Sequence, residues 1–411
     1  MKHVVILGAG TGGTMMAHRL RRELPEREWR ITIIDRDELH LYQPGLLLLP
    51  FGVYRPKDLL RPRKSTLPAG VDLRLEPIAE LDPEQRLVRF PGGDTLTWDV
   101  LVVATGARLV PEETEGMTGR GWRESVFDYY TIDGAIALGE ALDRFQGGRV
   151  VVHFVDTPIK CPVAPLEMAF LLDAHFTRKG LRRHVELVFA TPLDAAFTKP
   201  RAAALLGDML ARRGILVEPS FAVASIDGGD GEMKGYDGRT IPFDLLVTVP
   251  LHAGSELVAR AGLGDTSGFV ATDKHTLQSK RYEHIFALGD ATDVPTSKAG
   301  SVAHFQSEVL TDNIARWVRG RPLAPAFDGH ANCFIETGYD RALLIDFNYD
   351  TEPLPGRYPL PGVGPFKLLE DTRVNHLGKL AFKWLYWNAL LPGKELPIES
   401  SMSMAGKWSH P

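Results

Sequence analysis

The stretch His3-Val4-Val5-Ile6-Leu7-Gly8-Ala9-Gly10-Thr11-Gly12-Gly13 decides the fold. Its first five residues are an unbroken apolar run, which suits a parallel strand buried on both faces. Glycines stand at 8, 10 and 13, and residues 15–24 read as a helix that stops near Pro25. A second apolar run, Arg30-Ile31-Thr32-Ile33-Ile34, ends on Asp35. Strand, glycine turn, helix and strand make one β–α–β unit of the dinucleotide-binding kind. Gly8 permits the tight turn, Gly10 lets backbone approach a pyrophosphate, and Gly13 lets the helix pack closely on the strand. The free N–H groups and positive dipole of the helix start favour phosphate. Asp35, 22 residues beyond Gly13, is placed to accept hydrogen bonds from ribose hydroxyls.

Outward from this unit, apolar runs at 100–105, 150–155, 185–190, 245–249 and 285–288 read as further strands, so the class is α/β. They suggest two nested Rossmann-like dinucleotide-binding domains. The first is discontinuous and takes 1–108 and 245–330; the second, with a degenerate nucleotide site, takes 109–244. The character changes at Ala331-Asn332-Cys333-Phe334, where a C-terminal region, 331–404, begins. That region is rich in aromatics and is broken by Pro353, Pro355, Pro359, Pro361 and Pro365. Residues 405–411 end in Trp408-Ser409-His410-Pro411, which matches the start of a common affinity tag and is set aside.

Composition narrows the function. The chain has 411 residues, 44% hydrophobic and 24% charged, which is ordinary for a globular protein of this size. Lys plus Arg, 47, against Asp plus Glu, 52, leaves a net charge of −5 and argues against a dedicated nucleic-acid binder. Cys161 and Cys333 are the only cysteines, too few for a cysteine-rich zinc or iron–sulfur site, and no metal is expected. No apolar stretch reaches the ~18 residues that span a bilayer, and no signal peptide is expected before the first strand.

A second nucleotide would need a second glycine turn after the strand at 150–155. The chain there reads Val152-His153-Phe154-Val155-Asp156-Thr157-Pro158-Ile159-Lys160-Cys161-Pro162, with no glycine from Arg149 to Lys179. NAD(P)H is therefore not the expected electron donor. A cysteine takes the place of the glycines. Cys161 precedes a helix that begins near Pro165 and has Lys160 beside it, a setting that depresses a thiol's pKa. The plain alternative is a buried cysteine acting as a small hydrophobe.

Two further motifs carry a family resemblance. Leu101-Val102-Val103-Ala104-Thr105-Gly106-Ala107 resembles the strand-to-turn crossing of the two-dinucleotide-binding-domain flavoproteins. Ile285-Phe286-Ala287-Leu288-Gly289-Asp290 resembles their second flavin motif. With Gly8, Gly10, Gly13 and Asp35, they imply FAD contacts at Ala104, Thr105, Gly106, Gly289 and Asp290, the last at the ribityl chain. Over essentially the whole chain the sequence resembles sulfide:quinone oxidoreductases and the flavoprotein subunit of flavocytochrome c sulfide dehydrogenase. In that family one redox cysteine follows the degenerate glycine site, where Cys161 sits, and another lies in the C-terminal region, where Cys333 sits.

The resemblance implies roles for neighbouring residues. Glu167, six positions after Cys161, matches an acidic position suited to proton transfer, although a solvated helix carboxylate is the alternative. Lys298, in Ser297-Lys298-Ala299-Gly300, resembles the lysine near the flavin pyrimidine edge, where a cation stabilises reduced flavin. Phe334 either lines a quinone slot or belongs to the core. With no third cysteine, FAD is expected to be non-covalent. His40-Leu41-Tyr42-Gln43-Pro44-Gly45 has the pattern of quinone-reducing members and no cysteine for a flavin link.

The implied reaction oxidises sulfide to sulfane sulfur or polysulfide and reduces a membrane quinone. Bisulfide would open a disulfide or sulfur-bridged pair between Cys161 and Cys333, leaving a persulfide on one and a thiolate on the other. Residues 374–391, VNHLGKLAFKWLYWNALL, place Leu377, Leu380, Ala381, Trp384, Leu385 and Leu391 at helical spacing. Lys379, Lys383 and Tyr386 share another stripe, and residues 367–394 carry five Lys/Arg against two Asp/Glu. This helix is expected to lie on a membrane surface with its lysines toward anionic headgroups, making a peripheral, monotopic protein of the cytoplasmic face. A core-docked amphipathic helix is the alternative, and a homo-oligomer is left open. Two other functions compete: a type-II NADH:quinone oxidoreductase, and a redox- or sulfide-sensing flavoprotein with little turnover.

Overall fold

The computed structural model describes residues 1–360, 362–396 and 398–408. Pro361, one of the prolines named above, and the Ser409-His410-Pro411 end of the tag-like segment lie outside the described residues. The chain runs through β1 (Lys2–Leu7), α1 (Thr11–Glu23), β2 (Trp29–Asp35), β3 (Asp72–Leu75) and β4 (Val100–Val103). It continues through β5 (Val126–Phe127), β6 (Gly148–Phe154), α2 (Ala164–Arg178), β7 (Val185–Ala190), β8 (Ile215–Glu218) and β9 (Leu245–Val249). It then makes β10 (Ile285–Ala287) and α3 (Gly300–Val318), followed by β11 (Ala331–Gly338), β12 (Arg341–Phe347) and α4 (Arg373–Leu385).

Two parallel sheets result. The first has the order β10-β4-β1-β2-β3, and the second β5-β9-β6-β7-β8. The first sheet explains the unbroken apolar run. Val4 and Ile6 face the cluster that holds Met15, Met16 and Leu20 of α1, while Val5 and Leu7 face Val258, Leu263 and Val270. Covered on both sides, Val4 to Leu7 of β1 leave no position for a polar residue, and each such burial contributes about 1.5–3 kcal/mol.

One boundary differs from the sequence reading. The sequence pattern assigns residues 245–249 to the first unit, yet β9 lies inside the second sheet, with Leu245 opposite Val150. Leu245-Leu246-Val247-Thr248-Val249 is buried throughout and would suit the centre of either sheet. Long-range pairing alone chooses between them. The crossing comes just afterwards, where Arg108–Leu109 pairs antiparallel with His252–Ala253 and ties the outgoing chain to the returning one.

The C-terminal region begins with an antiparallel hairpin, β11 with β12, in which Cys333 stands opposite Ile345. β11 packs on α2, which brings Cys333 to the Cys161 side of the second unit. Thr372 caps α4, its hydroxyl accepting the Asn375 N–H at 3.1 Å. After Leu385 the helix widens into a π turn, Tyr386–Leu390, that buries Tyr386 and Trp387. Lys407, within the tag-like segment, is folded in: its ammonium lies 2.7 Å from buried Asp346.

Candidate active site

The glycine turn divides its labour. Gly8 has φ +91°, and a Cβ there would meet the Ala104 carbonyl oxygen at 2.5 Å. A Cβ on Gly13 would lie 1.8 Å from the Gly8 oxygen. These two are demanded by the fold. Gly10 is different, because a Cβ there would meet nothing within 4 Å. That open space lies before the N-terminus of α1, where a pyrophosphate needs it. Asp35 Oδ2 accepts the Ala9 N–H at 2.7 Å and lies 3.4 Å from the Arg63 guanidinium, so the carboxylate is oriented at the end of β2.

The other flavin motifs converge on the same edge. β4 and β10 are neighbours and deliver Ala104-Thr105-Gly106 and Gly289-Asp290 side by side. Gly106 and Gly289 both have φ +68°, a conformation that other residues rarely adopt. The Gly289 N–H donates to Gln306 Oε1 at 2.6 Å. Thr105 Oγ1 and Gln306 Nε2 are buried without partners among the described residues, as polar atoms awaiting a ligand would be. Burial pushes the Asp290 carboxyl up, opposed by the charges of Lys298 and Lys160. These residues fit an FAD.

Lys298 links the cradle to the first cysteine. Its buried ammonium donates to the carbonyls of Asp290 at 3.0 Å and Thr292 at 2.8 Å, and burial pushes its pKa down. Its own carbonyl accepts the Cys161 N–H at 2.7 Å. Cys161 has φ +49°, a left-handed conformation in the segment leading to α2. Both thiols are free and half-buried.

The expected depression of the Cys161 thiol is not found. Burial pushes it well up, reinforced by Glu167 and Cys333 and opposed by Lys379. Burial pushes the Cys333 thiol up to about 12, with Glu167 again reinforcing and Lys379 opposing. A helix N-terminus favours thiolate only where the sulfur keeps contact with polar surroundings. β11 packs on α2, and Lys379 bonds both Glu167 of α2 and the Phe334 carbonyl next to Cys333.

Glu167 is fully buried, which removes the solvated-carboxylate alternative. Its Oε1 accepts the Glu336 N–H at 2.7 Å and also the Lys379 ammonium, while Oε2 has no partner among the described residues. Lys379 additionally donates to the Phe334 carbonyl at 3.2 Å. One turn back along α4, His376 Nδ1 lies 3.0 Å from each oxygen of Glu336, a residue 1% exposed. Sequence reading missed Glu336 and His376 and assigned Lys379 to lipid headgroups. Glu336, three residues after Cys333, offered only its nearness in sequence as a signal.

The outward face of α4 is therefore the apolar one. Val374 is 45% exposed, Leu377 62% and Trp384 68%, all in one stripe. Beneath it, Phe334 meets Phe366 edge to face at 5.2 Å, and both rings press on Gly378, where a Cβ would fall 2.4 Å from Phe366 and 2.9 Å from Phe334. Among the described residues no helix is long and apolar enough to cross a membrane. Tyr386, in the π turn, joins the C-terminal region to the cradle: its hydroxyl lies 2.7 Å from Thr11 Oγ1 and 2.7 Å from His40 Nε2.

A nested pair of parallel sheets, one with a full glycine turn and one without, defines a flavin-type oxidoreductase fold. The pyridine nucleotide-disulphide oxidoreductase family matches residues 2–152. The chain is 28% identical over 397 residues to the mitochondrial sulfide:quinone oxidoreductase of Mus musculus, covering 95% of this chain and 86% of that protein. It is 26% identical over 366 residues to the sulfide-quinone reductase of Aquifex aeolicus, covering 84% and 83%. The X-ray structure of the sulfide:quinone oxidoreductase from Aquifex aeolicus superposes with a TM-score of 0.80 at 23% identity, over 96% of this chain and 92% of that one. The similarity to sulfide:quinone oxidoreductases thus extends along nearly the whole chain.

Proposed function

We propose that the protein is an FAD-dependent sulfide:quinone oxidoreductase that works at a membrane surface. One observation carries this reading: the only two cysteines, 172 positions apart in sequence, flank packed elements, Cys161 leading into α2 and Cys333 on β11, and Lys379 bonds both Glu167 of α2 and the carbonyl of Phe334, next to Cys333. The Cys161 segment is tied through Lys298 to the second flavin motif. Where an NAD(P)H-dependent relative needs a second glycine turn, this chain supplies Cys161.

Bisulfide attacks a bond between Cys161 and Cys333; a new S–S bond forms, leaving one persulfide and one thiolate. Lys379 stabilises that thiolate, and the free Oε2 of Glu167 receives the proton when the persulfide ionises. Bound FAD would supply the two-electron acceptor between sulfur and quinone. Lys298 fixes the Cys161 loop against the flavin motif, and Phe334 with Phe366 lines the quinone side. The apolar stripe of α4 lies in the lipid interface and admits quinone, with Trp384 at headgroup depth. FAD is held without a covalent link.

Rapid mixing tests the proposal. Sulfide should bleach the flavin within the turnover time, and a short-chain quinone should restore its absorbance. Bleaching by NADH with none by sulfide would overturn the reading in favour of an NADH:quinone oxidoreductase.

A further inference from the structure

The exposed end of α4 forms one wall of a groove of about 440 Å³, and residues 53–61 form the other. Val53, Tyr54 and Arg61 face Lys383, Trp384 and Trp387 across it. Each cation rests on a ring from the opposite wall. The Arg61 guanidinium lies 4.3 Å from the centre of the Trp387 ring, and the Lys383 ammonium 4.2 Å from that of Tyr54. The base of the groove is held from within. Trp387 is buried and meets His40 edge to face at 5.4 Å, and His40 stands opposite Arg61 in a short antiparallel pairing.

The chemistry of the lining selects an occupant. No carboxylate lines the groove, and among the described residues neither Arg61 nor Lys383 forms an ion pair. Asp58, on the same stretch as Tyr54, is already held by Arg55 through both oxygens, at 3.0 and 3.1 Å. A guanidinium stacked on a ring keeps its N–H edge free for the fork that phosphate oxygens fit. The rim is apolar, with Val53 48% exposed beside Trp384. A soluble anion would leave that rim in water, and a quinone brings no charge for the two cations. An amphiphile with an anionic head satisfies both. Of the two α4 lysines that the sequence assigns to headgroups, Lys379 turns inward, so the partner of Lys383 is Arg61, which the helix pattern could not show.

We propose that this groove seats the headgroup of an anionic phospholipid: Arg61 and Lys383 clamp its phosphate from the two walls, while Val53 and Trp384 enter the lipid around it. The inference rests on the membrane-surface reading of α4. It adds a second element to the docking face, residues 53–61, and a requirement for lipid charge that an apolar stripe alone does not impose.

The test uses full-length, FAD-loaded protein and two kinds of vesicle, phosphatidylcholine alone and phosphatidylcholine mixed with phosphatidylglycerol. Wild type should bind the mixed vesicles more tightly. Arg61→Gln and Lys383→Gln should each weaken that binding about fivefold and the double variant roughly thirtyfold. Binding to phosphatidylcholine alone should not change, because the apolar stripe is intact. The flavin spectrum of each variant reports that it has folded. Lys57→Gln with Lys64→Gln removes two exposed lysines from the same stretch, outside the groove, and should cost much less. An equal loss in that control pair would reveal a diffuse attraction and overturn the proposal. So would equal binding of wild type to both vesicles. Loss of turnover with a short-chain quinone in the Arg61–Lys383 double variant, with lipid preference kept, would assign the groove to quinone instead. Wild type that binds neither vesicle would overturn the membrane-surface reading along with the proposal, whereas charge-independent binding overturns the proposal alone.

Discussion

The Lys379 ammonium reaches inward from α4 to the buried carboxylate of Glu167, 212 residues earlier in the chain. This single pair couples the helix that carries the exposed apolar stripe to the site that holds both cysteines. It also reverses the sense in which the helix is amphipathic, since its lysine stripe is partly internal and its leucine and tryptophan stripe external.

Lys379→Gln should therefore act on chemistry and stability rather than on membrane attachment. It leaves Glu167 buried without its cation, a change that typically costs about 3–5 kcal/mol. Denaturant unfolding should show a lower midpoint, and sulfide-driven bleaching should fall by orders of magnitude. Sedimentation with liposomes should be unchanged. Loss of sedimentation would mean that the lysine faces lipid after all.

The outer stripe makes the complementary prediction. Leu377→Gln with Trp384→Gln should release the protein from liposomes while leaving reduction of a short, water-soluble quinone near normal. Both side chains are more than half exposed, so little core packing is disturbed. Removing the whole segment is a poorer experiment than its sequence suggests. It would also delete Lys379 and the Tyr386 hydroxyl that contacts Thr11 and His40.

Cys161→Ser and Cys333→Ser should each keep FAD and lose sulfide-driven bleaching by about 100-fold or more, since a hydroxyl is a far poorer nucleophile at neutral pH. The reduced wild type should also show a distinct pH response. Burial raises the Cys333 thiol from 9.0 to about 12, so the folded state favours the protonated form. Its contribution to stability is complete below pH 9 and is lost as the pH rises toward 12. Unfolding midpoints of the dithiol protein should fall over that range, and Cys333→Ser should flatten the fall.

The glycine turn predicts two different failures. Gly13→Ala should fail to fold or be severely destabilised, because its Cβ would lie 1.8 Å from the Gly8 oxygen. Gly10→Ala should fold, because no protein atom stands within 4 Å of the added carbon, yet bind FAD weakly. Circular dichroism and flavin titration separate the two. Acid precipitation of the wild type should leave yellow FAD in the supernatant; colour retained in the pellet would show a covalent link.

Much of this protein is written locally in its sequence. The run His3 to Leu7, the glycines at 8, 10 and 13 and the acidic end at Asp35 specify a β–α–β unit, because each constraint acts within one turn or one strand. The missing glycines after β6 and the scarcity of cysteine could likewise be read directly. Other features needed the folded chain. Residues 245–249 suit either sheet, and pairing with β6 decided between them. The period of α4 showed which residues share a face, but periodicity does not say which face turns inward. Buried carboxylates decided that. Glu167 and Glu336 draw Lys379 and His376 inside, and the leucine–tryptophan stripe is left outside, since an unpaired buried charge costs more than an exposed apolar side chain.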